Sequence, residues 1–178
     1  AASDVYKRQI HDSSIRLNDE YTYNYCTIGG GTKGSFGSID IQNSQIHIPS
    51  PGLNTAIGNG HQAYFNRESR IRIANSQVSV RNELFGPAIG AAYGSSGGQI
   101  NILIENSTVT AKGGWLFGDG TEYVPGIGIS YKSSLNAYIQ VMDSTVESFR
   151  HTKSRNMDDS DYVYDDLHTN CLLYTSPS

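Results

Sequence analysis

The stretch Arg70–Val80, which reads R-I-R-I-A-N-S-Q-V-S-V, decides the fold of this chain. Polar residues alternate with Ile71 and Ile73 before an Asn-Ser pair, and with Val78 and Val80 after it. Alternation in β-branched residues is typical of strands with one buried face. The pair shifts the alternation by one residue, and asparagine tolerates unusual backbone angles. The stretch therefore predicts two strands joined by a tight corner.

The same pattern occurs four times along the chain. The other copies are Ser38–Ile48 (S-I-D-I-Q-N-S-Q-I-H-I), Asn101–Ala111 (N-I-L-I-E-N-S-T-V-T-A) and Tyr138–Ser148 (Y-I-Q-V-M-D-S-T-V-E-S), and successive copies are 32, 31 and 37 residues apart. A small residue followed by Ile-Gly precedes each copy, at 27–29, 56–58, 88–90 and 126–128. Self-similarity at this period indicates a repeat architecture.

A single unit leaves its apolar face uncovered, and stacking the units covers it. Equivalent residues of neighbouring coils then lie ~4.7–4.9 Å apart and form columns. We expect an all-β parallel solenoid of about four coils, with three strands per coil. The two predicted interior columns are Ile41, Ile73, Ile104 and Val141, and Ile46, Val78, Val109 and Val146. The predicted asparagine ladder at the corner is Asn43, Asn75 and Asn106, with Asp143 at its end. The predicted outward column is Asp40, Arg72, Leu103 and Gln140.

Two other repeat folds fit the units less well. A β-propeller blade needs four strands in about 40–50 residues, and these units are too short for that. A leucine-rich repeat needs regularly spaced leucines, which are scarce here.

The unit A-I-G, a Gly/Ser loop and I-x-I-x-N-S-x-V-x-V resembles the glycine-rich repeats of bacterial secreted and cell-surface proteins. The resemblance covers residues 27–148 and is strongest over 86–114. It implies a right-handed parallel β-helix like the pectate-lyase superfold, outside the cell or on its surface. Some members of that group are described as carbohydrate-binding proteins or adhesins, so the resemblance also implies a binding or adhesion role with a glycan ligand.

The two ends of the chain resemble peptides translated from sequencing-adapter DNA. The stretches are Ala2–Gln9 (A-S-D-V-Y-K-R-Q) and Cys171–Ser178 (C-L-L-Y-T-S-P-S). We therefore expect non-native tails at 1–9 and 171–178, as in a fragment from assembled metagenomic sequence. Between them we expect solenoid over 10–148, with clear repeats over 27–148, and an acidic loop or the start of a further coil over 149–170.

Composition excludes several classes of protein. Hydrophobic residues make up 37% of the chain and charged residues 17%, which suits a packed core rather than a disordered segment. No apolar run approaches the ~18 residues of a membrane-spanning helix. The net charge of -4 argues against nucleic acid as a partner. Zinc and nucleotide motifs are missing from the sequence, so no metal or other cofactor is expected.

The outward columns contain no pair of carboxylates, so no catalytic residue is predicted. A glycosidase would need two carboxyl groups within about 5–9.5 Å of each other. Asp40 beside Arg72 instead predicts a cross-strand ion pair. The alternative to a binding protein is a polysaccharide lyase or glycoside hydrolase whose catalytic coils lie outside this fragment, or a structural stalk.

The best candidate ligand site is the loop Lys112–Val124, which accounts for the longest repeat. Large aromatics in a glycine-rich insertion are typical of a binding surface. Aromatic faces suit the apolar faces of sugar rings. A competing expectation is that Trp115 packs on the solenoid wall. The predicted ligand-binding residues are Trp115, Phe117, Asp119, Glu122 and Tyr123 from the loop, with Tyr93 and Tyr131 from the flanking coils.

An uncapped solenoid exposes strand edges at both ends, and such edges pair with other chains. We therefore expect the isolated fragment to self-associate.

Overall fold

The repeats stack into a parallel β-helix in a computed structural model of the chain, as the alternation predicts. The structure describes residues 7–17, 26–34, 36–49, 54–82, 84, 86–114, 124–151, 162–164 and 171–176. Every regular element in these ranges is a β-strand, and none is a helix. In the same ranges, no helix is long and apolar enough to cross a membrane.

Four consecutive coils contain three strands each, and further strands flank them. The strands are β1 (Lys7–His11), β2 (Ser14–Arg16), β3 (Ile28–Gly29), β4 (Ser38–Gln42), β5 (Gln45–Ile48), β6 (Ile57–Gly58), β7 (Tyr64–Ala74), β8 (Gln77–Arg81), β9 (Ile89–Ala91), β10 (Ser96–Glu105), β11 (Thr108–Lys112), β12 (Ile127–Ile129), β13 (Ser134–Met142), β14 (Thr145–His151), β15 (Tyr162–Tyr164) and β16 (Cys171–Ser176).

The strands form three sheets that run along the stack. The first sheet has the order β1-β4-β7-β10-β13-β16, the second β2-β5-β8-β11-β14-β15, and the third β3-β6-β9-β12. Among the described residues, every strand pair is parallel except β14 with β15, which is antiparallel. Because each chain crossover returns to the same sheet one coil later, side chains of equivalent sequence position lie above one another.

The register confirms the predicted columns. Ile73 pairs with Ile41 on one side and Ile104 on the other, and Ile104 pairs with Val141. In the second sheet, Val78 lies between Ile46 and Val109 in the same way. Ile41, Ile73 and Ile104 have no exposed surface, so each contributes the ~1.5–3 kcal/mol that full burial of such a side chain provides.

The corner between the first and second sheets has the same backbone conformation in each of the four complete coils. It lies at residues 43–44, 75–76, 106–107 and 143–144. Asn43, Asn75 and Asn106 have φ of 47–49°, and Asp143 has φ of 48°. This left-handed conformation is one that asparagine and aspartate adopt more readily than other residues. The predicted asparagine column is therefore present, and Asp12, with φ of 51°, extends it by one coil.

Serine, rather than asparagine, makes the repeated side-chain hydrogen bonds between coils at the corner. The backbone N–H of Ser44 donates to Oγ of Ser76 over 3.0 Å, and that of Ser76 donates to Oγ of Ser107 over 3.1 Å. The Ser76 hydroxyl in turn donates to the carbonyl of Ala74 over 2.7 Å. The left-handed turn leaves the asparagine side chains exposed and the serines buried, so a buried serine ladder lies beside the predicted asparagine column, in which Nδ2 of Asn43 donates to Oδ1 of Asp12 over 3.0 Å.

A column of glycines in the third sheet allows the coils to approach closely. Gly29, Gly58, Gly90 and Gly128 have φ between 134° and 147°, which L-residues rarely adopt. A Cβ on Gly58 would collide with the carbonyl oxygen of Gly90. The repeated Ile-Gly therefore reflects backbone packing at this position.

The terminal strands extend the stack into both predicted tails. Strand β1 begins at Lys7 and pairs with β4, and β16 pairs with β13 in register from Ala137 and Cys171 onward. Strands β1 and β2 form the partial coil that precedes the first complete one.

Candidate functional site

The chain passes from the third sheet to the first through a turn that we name the aromatic turn, residues 59–63, 92–95 and 130–133 in the last three coils. Gln62 and Lys132 have φ of 57° and 55°, and Gly94 has φ of 69° at the equivalent position. The N–H of Gln62 donates to the carbonyl of Tyr93 over 2.9 Å. The N–H of Gly94 donates to the carbonyl of Tyr131 over 3.4 Å. Backbone hydrogen bonds therefore connect the turns of neighbouring coils.

A buried polar network beneath the turn holds it in place. The Asn59 side chain donates to Oγ of Ser95 over 2.8 Å and accepts from the N–H of Ala92 over 3.0 Å. The Ser95 hydroxyl donates to the Ala92 carbonyl over 2.7 Å. Because Asn59 and Ser95 are fully buried and paired, the network ties the second coil to the third and limits movement of the residues above it.

Three rings, from His61, Tyr93 and Tyr131, form a column on this turn, which we name the aromatic column. The centroids of His61 and Tyr93 are 5.3 Å apart with the planes at 33°, and those of Tyr93 and Tyr131 are 6.5 Å apart at 40°. Both distances suit attractive ring contacts. The Lys132 Nζ lies 5.4 Å from the Tyr131 centroid and 5.8 Å from the Tyr93 centroid, within the range of cation–π attraction.

The two ligand-site residues that the structure describes, Tyr93 and Tyr131, are thus brought together. Tyr131 is 41% exposed and Tyr93 is half-buried. The other predicted site residues lie outside the described residues, so their placement stays a prediction: Trp115, Phe117, Asp119, Glu122 and Tyr123. His61 and Lys132 were not predicted as neighbours of this pair, although alignment of the small-Ile-Gly motifs places His61, Tyr93 and Tyr131 in one column.

Neighbouring aromatics divide between surface and core. Tyr64, at the start of β7, is 60% exposed. Phe65 is buried and packs edge-on against Phe36, with centroids 5.9 Å apart and planes at 85°. The strand alternation decides this difference, since consecutive residues point to opposite faces of the sheet. Phe65 therefore belongs to the core rather than to a ligand surface.

Burial, followed by the nearby charge of Lys33, lowers the pKa of His61 below its ordinary value of 6.5. The imidazole is therefore neutral at physiological pH. A neutral ring packs on Tyr93 without the cost of desolvating a charge.

The predicted ion pair between Asp40 and Arg72 is confirmed at 3.4 Å between Oδ1 and Nη1. Arg72 also contacts Glu105. The predicted columns do not contain this contact, because Glu105 lies on the diagonal, two residues beyond Leu103, the strand partner of Arg72. His11 adds a fourth group, with Nε2 3.8 Å from Oδ2 of Asp40. Burial alone would lower the pKa of Arg72, but the hydrogen bond and charge of Glu105, followed by Asp40, raise it. The guanidinium thus joins two carboxylates in a cross-strand network.

Cys26 is packed at the start of the third sheet. Its thiol lies 3.2 Å from the Ile28 carbonyl and accepts a hydrogen bond from Oγ1 of Thr55 over 3.4 Å. Burial raises the pKa of Cys26 to about 11. The thiol is protonated at neutral pH, and thiolate chemistry is therefore suppressed.

Metal-binding groups are not assembled in the described part of the chain. No cluster of three or more His, Cys, Asp or Glu side chains there could hold a metal ion. The stretch 158–161 (D-D-S-D) of the predicted acidic loop lies outside the described residues.

Comparisons with protein-family models, curated proteins and solved structures give no match to this chain.

Proposed function

We propose that this chain is part of an extracellular or cell-surface β-helix protein that binds a glycan at the aromatic column. The observation that supports this function is the contact between Tyr93 and Tyr131 on neighbouring coils, with the ammonium group of Lys132 beside both rings.

The chemistry of the column suits a sugar ligand. Tyrosine offers an apolar ring for the C–H face of a sugar and a hydroxyl that both donates and accepts hydrogen bonds. Lys132 adds a hydrogen-bond donor next to Tyr131. Tyr64 is a further exposed ring at the start of β7, the strand that follows the turn of His61. A row of such groups along the stack suits a chain of sugars better than a single small molecule.

The turn is also organised before any ligand arrives. Asn59 and Ser95 hold the backbone under His61 and Tyr93 through the buried network. A site ordered in advance spends less of its binding energy on immobilising side chains. Binding is favoured over catalysis because Asp40 and Glu105, the carboxylates that meet at Arg72, lie in an ion network near the corner, at the other end of the first-sheet strands from the aromatic turn.

The test is affinity gel electrophoresis in gels that contain plant or mucosal polysaccharides, one polysaccharide per gel. We expect at least one neutral polysaccharide to retard the parent chain and Tyr131→Ala to lose most of that retardation. Tyr138→Ala is the matched control, because Tyr138 is also 41% exposed but lies on the outer face of β13 in the first sheet.

Two results would contradict the proposal. If the full panel leaves the mobility of the parent chain unchanged, glycan binding is wrong for those polymers. If Tyr138→Ala and Tyr131→Ala reduce retardation equally, the ligand does not bind at the aromatic column. Fluorescence of Trp115, the single tryptophan of the chain, reports in addition whether the Lys112–Val124 loop contributes.

A further inference from the structure

A second column, made mostly of long polar side chains, lies next to the aromatic column. Lys33, Gln62 and Lys132 have φ of 60°, 57° and 55°, and Gly94 has φ of 69°. Lys33 belongs to the first complete coil, where its N–H donates to the carbonyl of His61 over 2.8 Å. Gln62 and Gly94 make the equivalent bond in the next two coils, and the three long side chains are exposed. We name these four residues the polar column.

The backbone of the turn does not need these long side chains. A left-handed conformation costs free energy in residues other than glycine, asparagine and aspartate. The corner places Asn43, Asn75 and Asp143 in that conformation, so residue type and backbone agree there. The turn instead uses lysine and glutamine, although Gly94 shows that glycine adopts the same backbone. Strain that the fold does not require is typical of functional sites, so the polar column indicates a role other than folding.

Gly94 differs from the glycines of the third sheet, which the packing of the coils requires. A Cβ on Gly90 would collide with the carbonyl oxygen of Gly128. A Cβ on Gly94 would meet one atom of the described residues within 4 Å outside its chain neighbours, which is Cγ of Gln62 at 3.3 Å. The glycine therefore gives the Gln62 side chain room to lie across the next turn, directly after Tyr93.

The polar column brings hydrogen-bonding groups to both ends of the aromatic column. Burial and then the charge of Lys33 lower the pKa of His61, so the Lys33 ammonium lies near that ring. At the other end, Nζ of Lys132 lies 5.4 Å from the Tyr131 centroid. Three strand intervals separate the coils of Lys33 and Lys132, which is roughly 14 Å along the stack.

On the basis of the proposed function, we propose that Lys33 and Gln62 belong to the glycan site and that its ligand is an extended, neutral polysaccharide that runs along the stack over all four turns. The rings contact the faces of the sugars. The Gln62 amide donates and accepts hydrogen bonds, and the Lys33 ammonium donates them, which matches uncharged sugar hydroxyls. Because the groups are spread over four coils, a single sugar contacts only part of the site, and affinity rises with chain length.

Affinity gels with hydroxyethylcellulose, galactomannan and arabinoxylan, one polymer per gel, test the two residues. For the polymer that retards the parent chain most, Gln62→Gly and Lys33→Gly should each weaken binding roughly two- to tenfold, the range of one hydrogen bond. Mobility in polymer-free gels corrects for the change of charge. Gln77→Gly is the matched control, because it makes the same substitution at an exposed position on the outer face of the second sheet and should leave binding unchanged.

The stability of the same variants separates a binding role from a folding role. Glycine relieves the left-handed strain, so Gln62→Gly and Lys33→Gly should unfold at a higher urea concentration than the parent while they bind more weakly. A variant that loses stability together with binding would show that its side chain supports the turn, and the proposal would be wrong for that residue.

Oligosaccharides of different length test whether the ligand is an extended chain. Cellohexaose, mannohexaose or xylohexaose, according to the retarding polymer, should release the parent chain at a concentration at least tenfold lower than glucose, mannose or xylose does. Equal potency of the hexasaccharide and its monosaccharide would contradict an extended ligand.

Failure of the proposed function has a different signature from failure of this inference. If none of the three polymers retards the parent chain, the proposed function is wrong for them and this inference fails with it. If Tyr131→Ala loses retardation while Gln62→Gly and Lys33→Gly bind as tightly as the parent, the aromatic column remains the site and only the role of the polar column is refuted.

Discussion

The corner and the aromatic turn lie at opposite ends of strands β7, β10 and β13 and use their side chains differently. At the corner, Ser44, Ser76 and Ser107 repeat without variation, and each hydroxyl accepts a hydrogen bond from a backbone N–H of the neighbouring coil. At the aromatic turn the left-handed backbone repeats, but the residue that occupies it changes from Gln62 to Gly94 to Lys132.

The source of the hydrogen bonds explains this contrast. The corner needs a side-chain oxygen to accept a buried backbone N–H, so only a residue with a short hydroxyl group fits there. The turn connects neighbouring coils through backbone groups alone at its left-handed position, as in the bond from Gln62 N–H to the Tyr93 carbonyl. The side chain at this left-handed position is therefore less constrained by the stack, and a ligand site can arise beside it without loss of the fold.

The largest expected effect comes from Gly90→Ala, at the strand that leads into the turn. The added Cβ would collide with the carbonyl oxygen of Gly128, at a φ of 137° that alanine rarely adopts. We expect a loss of more than about 3 kcal/mol in the free energy of unfolding, measured by urea denaturation. Gly31→Ala is the control, because a Cβ there meets no atom within 4 Å. Equal stability of the two variants would refute the close packing of the glycine column.

At the corner, Ser76→Ala removes the acceptor for the Ser44 N–H and the donor to the Ala74 carbonyl. A buried N–H without a partner costs about 1–3 kcal/mol, which is the destabilisation expected in the same denaturation series. Ser79→Ala, on the outward face of the next strand, should change stability by less than about 0.5 kcal/mol. If both variants unfold at the same urea concentration, the serine ladder contributes nothing.

At the turn, Gln62→Gly should stabilise the chain by up to about 1 kcal/mol, because glycine relieves the cost of a φ of 57°. Gln77→Gly, within β8, should have the opposite sign and destabilise by about 0.5–1 kcal/mol. Thermal unfolding of the two variants beside the parent gives the comparison. A destabilised Gln62→Gly would mean that the glutamine side chain itself supports the turn.

The smallest effect concerns acid stability at the aromatic column. The pKa of His61 is lowered on folding, so the unfolded chain binds its proton first. The stabilisation is complete above the ordinary value of 6.5 and decreases as pH falls below it. Urea midpoints at pH 7.5 and pH 5.5 should therefore differ less in His61→Gln than in the parent. An identical shift in both proteins would show that burial of His61 does not contribute.

The strands, columns and corner were predictable because they depend on residues that are close together in sequence. Ile41, Ile73 and Ile104 recur at fixed distances from the Asn-Ser pair, and stacking places equal positions together. Phe65 follows the exposed Tyr64 at the start of β7 and is buried, because consecutive strand residues point to opposite faces of the sheet. Glu105 was missed because a diagonal neighbour depends on side-chain reach as well as on register.

The repeats alone determined that this chain forms a parallel β-helix, since a period-two pattern repeated every 31–37 residues buries its apolar face when the coils stack. Only the tertiary structure decided the contacts that the columns do not contain. The spacing of the Tyr93 and Tyr131 rings and the contact of Arg72 with Glu105 depend on ring orientation and on long side chains. Sequence periodicity specifies which face a residue occupies, whereas rotamers and coil-to-coil packing specify what it contacts.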